Sequence, residues 1–311
     1  MTLQVSRRGF LATALAGAGL AREPAGNHER KFAATQFGRI AYLERGRTHL
    51  PAAVFLHGFP LNADQWGEAM QLLSTERRCL APDFMGLGFT DVAPGQAVGP
   101  TGQVAMVMEF VNRLRVRTFD LVANDSGGAV AQLIVAKYPS RVRSVLLTNC
   151  DTEKDSPPPA LLPVIELAKA GKFADEWLAP WLADKKLARS EKGIGGQCYV
   201  DPAHPTDRAI ESYFTPVLAS KRRKDLIHQY ALGLEPNALA GIAPALRAYK
   251  GPARIVWGTG DTIFSPASPG ELDRTFGNSH GVRLLPGRKL FWPEELPGVV
   301  AEEARNLWGK K

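Results

Sequence analysis

Leu121-Val122-Ala123-Asn124-Asp125-Ser126-Gly127-Gly128-Ala129-Val130-Ala131-Gln132 is the stretch on which the fold of this chain turns. Phe119, Leu121 and Val122 read as a strand. Ala129, Val130, Leu133 and Ile134 recur at helical spacing up to Tyr138-Pro139. A strand that turns directly into a helix forces its turn residue into strained backbone angles and lifts that side chain over the sheet. Only small residues fit two places before and two places after it. For Asp125 these are Ala123 and Gly127; for Ser126 they are Asn124 and Gly128, and Asn124 brings a branched amide into the crowded position. Asp125 is therefore read as the raised residue and candidate nucleophile, with Ser126 as the fallback. An ordinary strand–loop–helix in which Asp-Ser only caps the helix is the bland alternative.

Outward from this turn, short apolar runs alternate with helical segments. Ala52-Ala53-Val54-Phe55-Leu56 is continuous, as a strand buried on both faces requires. It follows a hairpin around Gly38 and ends in His57-Gly58-Phe59-Pro60. A helix over 66–73, a strand at 78–82, a helix over 103–114 and a strand over 142–149 continue the alternation. Such alternation predicts a parallel sheet with helices on both faces. The pattern stops at Asp151. From Ser156-Pro157-Pro158-Pro159 to about Ala245 the chain is helix-rich without strand signals, and Trp177 and Tyr213 are among its aromatics. It resumes at Ala253-Arg254-Ile255-Val256-Trp257, followed by Gly258-Thr259-Gly260-Asp261, a strand at 282–285 and a closing helix over 297–308. The insert has the sequence position of a lid over the strand ends, where open α/β sheets bind ligands.

The chain of 311 residues is 45% hydrophobic and 22% charged, ordinary for a globular protein with a full core. Its net charge of +7 is scattered and carries no nucleic-acid motif. Cys79, Cys150 and Cys198 lie far apart, with neither metal-type spacing nor a disulfide framework. No metal or organic cofactor is specified. Ser6-Arg7-Arg8-Gly9-Phe10-Leu11, followed by an Ala- and Gly-rich run to Ala21, resembles a twin-arginine export signal. The run is too short for a stable membrane span. The expected organisation is a signal over 1–26, a first core part over 27–150, a helical cap over 151–245 and a second core part over 246–311. A periplasmic or secreted location, with the twin-arginine machinery as partner, follows from that reading.

Together these segments resemble the α/β-hydrolase superfamily with a cap. The resemblance rests on His57-Gly58-Phe59-Pro60, Pro82-Asp83-Phe84-Met85-Gly86-Leu87-Gly88, Asn124-Asp125-Ser126-Gly127-Gly128 and Trp257-Gly258-Thr259-Gly260-Asp261. An Asp at the elbow is similar to the haloalkane dehalogenase and epoxide hydrolase branch. That likeness implies Asp125 as a nucleophile forming an ester with substrate carbon, and Phe59 and Ser126 as donors of oxyanion-hole N–H groups. It implies Asp261 as the acid that orients a histidine. The histidine itself is missing: in Pro286-Gly287-Arg288-Lys289-Leu290-Phe291, Leu290 stands in its place. His204 and His228 of the insert are the candidates to replace it. His280 precedes the last strand, at the wrong end of a parallel sheet. His57, Asn149, Trp177, Tyr213 and Leu290 are the expected substrate contacts, and Tyr199, Tyr213 and Tyr230 the candidate acids for an epoxide. The expected function is hydrolysis of a small, largely apolar halide, epoxide or ester. A non-catalytic binding protein and a serine esterase using Ser126 are the alternatives.

Overall fold

The computed structural model describes residues 29–309, so the export-signal reading lies outside the described residues. Nine strands form a single sheet. They are β1 (Lys31–Thr35), β2 (Gly38–Arg45), β3 (Ala52–Leu56), β4 (Arg78–Pro82), β5 (Asp91–Val92), β6 (Phe119–Asp125), β7 (Val142–Cys150), β8 (Ala253–Gly258) and β9 (Ser279–Leu285). The order is β1-β2-β4-β3-β6-β7-β8-β9, with β5 paired beside β2. The β1–β2 and β2–β4 pairs are antiparallel, whereas every pair from β4 to β9 is parallel. All five residues of β3 and all seven of β6 are buried, so both strands need cover on two faces.

Two layers of helix supply it. On one face α1 (Gly67–Leu73) and the closing helix α13 (Pro297–Trp308) enclose Trp66, Met70, Val300, Ala304 and Leu307. On the other, α2 (Pro100–Arg113), α3 (Ser126–Lys137) and α11 (Ser268–Thr275) share one core with the insert. The insert contributes α4 (Leu162–Lys169), α5 (Ala179–Ala183), α6 (Lys185–Arg189), α7 (Ile194–Cys198), α8 (Asp207–Leu218), α9 (Lys221–Gly233) and α10 (Ala243–Ala248). A short α12 (Trp292–Glu295) precedes α13. Among the described residues no helix is long and apolar enough to cross a membrane.

The insert is bolted to the rest of the fold by polar contacts from several helices. Arg223 donates to the carbonyls of Gly88 and Thr90. Tyr199 and Tyr213 both donate to Glu294 Oε2, at 2.7 and 3.0 Å. The Phe291 N–H donates to Cys198 O at 2.9 Å. His280 lies at the exposed start of β9, which begins three residues earlier than its apolar run suggests.

Candidate active site

The turn between β6 and α3 places Asp125 at φ +52° and ψ −133°, with Ser126 already the first helical residue. A non-glycine residue in that region costs on the order of 1–3 kcal/mol and persists only where its surroundings hold it. The surroundings are tight. A Cβ added at Gly127 would lie 2.5 Å from Leu56 O, and one at Gly128 would lie 2.3 Å from Cys150 Cβ. Small residues here let the elbow press against β3 and β7. The raised side chain is Asp125, and Asn124 points back into the sheet. Its Oδ1 accepts from Gln65 Nε2 at 2.7 Å, and its Nδ2 donates to the carbonyls of Thr148, Asn149 and Leu290.

The Phe59 N–H donates to Asp125 Oδ2 at 2.7 Å, and the Ser126 N–H is a second donor to this carboxylate. Burial raises the Asp125 pKa to about 6; the two N–H groups pull it down, and the Asp261 charge adds a smaller push upward. The Phe59 loop is held from behind by His57. Its Nε2 accepts the Phe84 N–H at 3.0 Å, which leaves the proton on Nδ1 to donate to Gly58 O at 2.9 Å. Burial depresses the His57 pKa to about 4, so the ring is neutral. The Gly58 N–H donates to Gln65 Oε1, which ties this loop to the Asn124 amide.

Above the elbow lies a cavity of about 100 Å³. Phe59, Asp125, Ser126, Asp151, Leu290 and Phe291 line it from the sheet side, and Phe173, Trp177, Trp181, Ile194, Gln197 and Cys198 from the insert. Most of this wall is apolar. Asp151, the residue after β7, is buried, and its pKa is raised to about 7 by burial and then by the Asp125 charge. Asp151 was not among the residues singled out from the sequence. A carboxylate at the carboxyl end of a buried parallel strand was the available signal.

The structure brings together Asp125, Ser126, Phe59, Leu290 and Trp177 around this cavity. Other expected contacts lie elsewhere. His57 is behind the Phe59 loop, with both ring nitrogens engaged. Asn149 is a buried staple rather than a wall residue. It donates to Gly258 O and to Asp261 Oδ2, and its Oδ1 accepts from Gly258 N–H and Trp292 Nε1. Tyr213 is fully buried against Glu294, not at the cavity. Asp261 does not line the cavity either. Its carboxylate accepts from Asn149 and from the Ile263 N–H, and its pKa is raised by burial.

Neither histidine of the insert lines the cavity. His228 Nε2 accepts the Ala174 N–H at 3.1 Å, and His204 packs on Tyr199 near Asp201. No histidine or tyrosine is among the described residues lining the cavity. Of the tyrosines considered for an epoxide, Tyr199 and Tyr213 bind Glu294, and Tyr230 meets Ser126 Oγ at 3.1 Å.

Residues 51–186 match a family model described as the alpha/beta hydrolase fold. An uncharacterised hydrolase of Saccharomyces cerevisiae is 24% identical over 88% of this chain and 94% of its own length. Haloalkane dehalogenase 2 of Mycobacterium tuberculosis is 25% identical over 88% and 92%. Among solved structures, the haloalkane dehalogenase DbeA of Bradyrhizobium elkani superposes with a TM-score of 0.72 at 21% identity, covering 89% of this chain and 96% of its own. Strand order, elbow and comparisons agree: the chain has the alpha/beta hydrolase fold, with haloalkane dehalogenase-like relatives at low identity.

Proposed function

We propose that this alpha/beta hydrolase-fold chain is a hydrolase that uses Asp125 as a covalent nucleophile on a small, largely apolar halide or epoxide. One observation carries the reading: a carboxylate held at φ +52° on the cavity floor, with the Phe59 N–H 2.7 Å from one of its oxygens. A carboxylate with a pKa of about 6 is mostly ionised at neutral pH. Its attack on carbon forms a C–O bond while the halide, or the epoxide oxygen, leaves with the bonding pair. Water then attacks the ester carbonyl, and the negative oxygen forms where the Phe59 and Ser126 N–H groups already point. A cavity of about 100 Å³ suits molecules of a few heavy atoms, since roughly 150 Å³ accepts benzene. The relationship to named haloalkane dehalogenases supports the halide class.

Leu290, in this reading, stands where the relatives' histidine would activate water. Losing a positioned base removes about 10²–10⁴-fold from the hydrolytic step and leaves the alkylation step untouched. The missing imidazole is also the observation that favours a second reading, a binding protein without turnover. Serine chemistry is less well supported, because Ser126 has Tyr230 rather than a histidine beside its hydroxyl. A panel of aryl esters, epoxides and haloalkanes, read by product and by intact mass, decides among them. Product or adduct that disappears in Asp125→Asn supports the proposal. Ester turnover that survives Asp125→Asn and is lost in Ser126→Ala points to the serine. Neither product nor adduct, with tight binding of an apolar ligand, points to the binding protein.

We also propose export through the twin-arginine route and a cap role for the insert over 151–245. Replacing Arg7 and Arg8 with Lys traps the precursor in the cytoplasm if the export reading holds, and unchanged export contradicts it.

A further inference from the structure

The cavity wall restricts how a proton can move. Among the described residues that line it, only Asp125, Asp151, Cys198 and the Ser126 hydroxyl carry an exchangeable proton of any acidity. Burial pushes the Cys198 thiol well up, and the Ser126 hydroxyl is shared with Tyr230. If Asp125 is the nucleophile, Asp151 is the group left for acid–base work. Its position suits that work. Cys150, the last residue of β7, pairs across the sheet with Asp125, and Asp151 follows it directly. The Asp151 carbonyl accepts Gln132 Nε2 from α3 at 2.8 Å, which fixes the backbone beside the elbow helix.

We propose that Asp151 is both the acid and the base of this site: neutral, it protonates the oxygen of an opening epoxide, and as the resulting carboxylate it deprotonates the water that hydrolyses the ester on Asp125. The proposal rests on Asp125 as nucleophile. The steps balance internally. In the first, Asp125 carboxylate bonds to an epoxide carbon, the C–O bond breaks toward oxygen, and that oxygen takes the Asp151 proton. In the second, Asp151 carboxylate takes a proton from water as its oxygen bonds to the ester carbonyl. Collapse expels the alkoxide, which takes a proton from Asp151. The carboxyl group of Asp125 ionises, and its proton returns to Asp151. The net change is epoxide plus water to diol, with Asp125 ionised and Asp151 neutral at the start and end. A halide offers no oxygen to protonate, so each turnover must release a proton to solvent.

The charge state needed at the start is the one the surroundings favour. Asp125 at about 6 and Asp151 at about 7 form a coupled pair in which the first proton leaves before the second. The groups facing Asp151 are Asp125, Asp155, the Cys150 thiol and the Tyr230 hydroxyl, with Ser156 donating a hydrogen bond to its carboxylate. Both neighbouring carboxylates oppose its ionisation. Esterifying Asp125 removes one of those charges, so Asp151 is easier to ionise when a base is required.

Butylene oxide and butyl bromide test this on the full mature protein in single-turnover labelling followed by intact mass, across pH 5 to 9. Opening of the epoxide should follow a bell with limbs near about 6 and about 7, because it needs Asp125 ionised and Asp151 protonated. Alkylation by butyl bromide should rise through about 6 and stay level. Asp151→Asn should slow epoxide opening by about 10²–10⁴-fold, keep bromide alkylation within a few-fold, and leave that adduct in place. Retained bromide alkylation also shows that the variant is folded. Epoxide opening that stays level above pH 7, or that is unchanged in Asp151→Asn, overturns the role of Asp151 and leaves Asp125 standing. Neither adduct nor product from either compound in the wild-type protein overturns the nucleophile itself, and this proposal with it.

Discussion

Two turns reach the same cavity from different strands, and they bring different things to it. The turn after β6 keeps a strained acidic residue, a facing N–H and the glycine against which it packs. The segment after β9 joins the site through its backbone. Asn124 Nδ2 still donates to Leu290 O at 3.1 Å, and Asn149 still ties Asp261 to Gly258 and Trp292. The side chain presented there is Leu290, which has no proton to exchange. Backbone position and chemical capacity are therefore separable in this fold. A network of buried amides holds the first, and the side chain at Leu290 sets the second.

The sharpest break in that comparison is Asp125→Asn. Alkylation by a small haloalkane should fall by about 10⁴-fold or more, as for loss of a covalent nucleophile, with no loss of thermal stability. Replacing a buried ionisable group by a neutral one of the same shape removes a desolvation penalty. Mass spectrometry and a melting curve on the same sample check both halves.

Leu290→His probes the other turn. In an Asp151→Asn background it should speed release of a trapped ester by about 10²-fold and leave the alkylation rate alone. Release unchanged from Asp151→Asn alone would mean that the segment does not point its side chain at the ester.

Gly127→Val separates geometry from chemistry at the elbow. Its Cβ would meet Leu56 O and His57 O at 2.5 and 2.6 Å, so the strand or the elbow must move. A loss of about 1–3 kcal/mol in denaturant titration is expected, together with slower labelling of Asp125.

The smallest effect concerns pH and stability. Asp125, Asp151 and Glu294 are all raised by burial, to about 6, 7 and 7. The folded state therefore holds protons that the unfolded chain has lost between about pH 4 and 7. Their contribution is full below the unfolded values and falls as pH rises through the folded ones, and it outweighs the opposite contribution of His57, depressed to about 4. The melting temperature should be a few degrees higher at pH 5 than at pH 8. Glu294→Gln should flatten part of that slope, because its two tyrosine partners can donate to the amide oxygen.

The sheet was readable from sequence because its strands carry short apolar runs, such as Ala52–Leu56 and Leu121-Val122-Ala123. Even the identity of the raised elbow residue follows from the small size of Ala123 and Gly127. Partners distant in the chain were not readable. Tyr213 turns away from the cavity because Glu294 captures its hydroxyl, and Asn149 turns inward because Asp261 and Trp292 bind its amide. Asp151 was missed for a related reason. Only the β6–β7 pairing, with Cys150 opposite Asp125, shows that the next residue stands over the same cavity. β5 is two residues long and leaves no apolar periodicity to read.

Cys198 is a competing nucleophile in the same cavity. The direct measurement is therefore peptide mapping after treatment of the Asp151→Asn protein, in which the ester is not hydrolysed, with butyl bromide at neutral pH, with hydroxylamine cleavage to tell an ester from a thioether. One butyl group is expected, on the peptide containing Asp125, removable by hydroxylamine and absent when Asp125→Asn is added. A hydroxylamine-stable butyl group on Cys198, with Asp125 unmodified, would contradict Asp125 as the nucleophile.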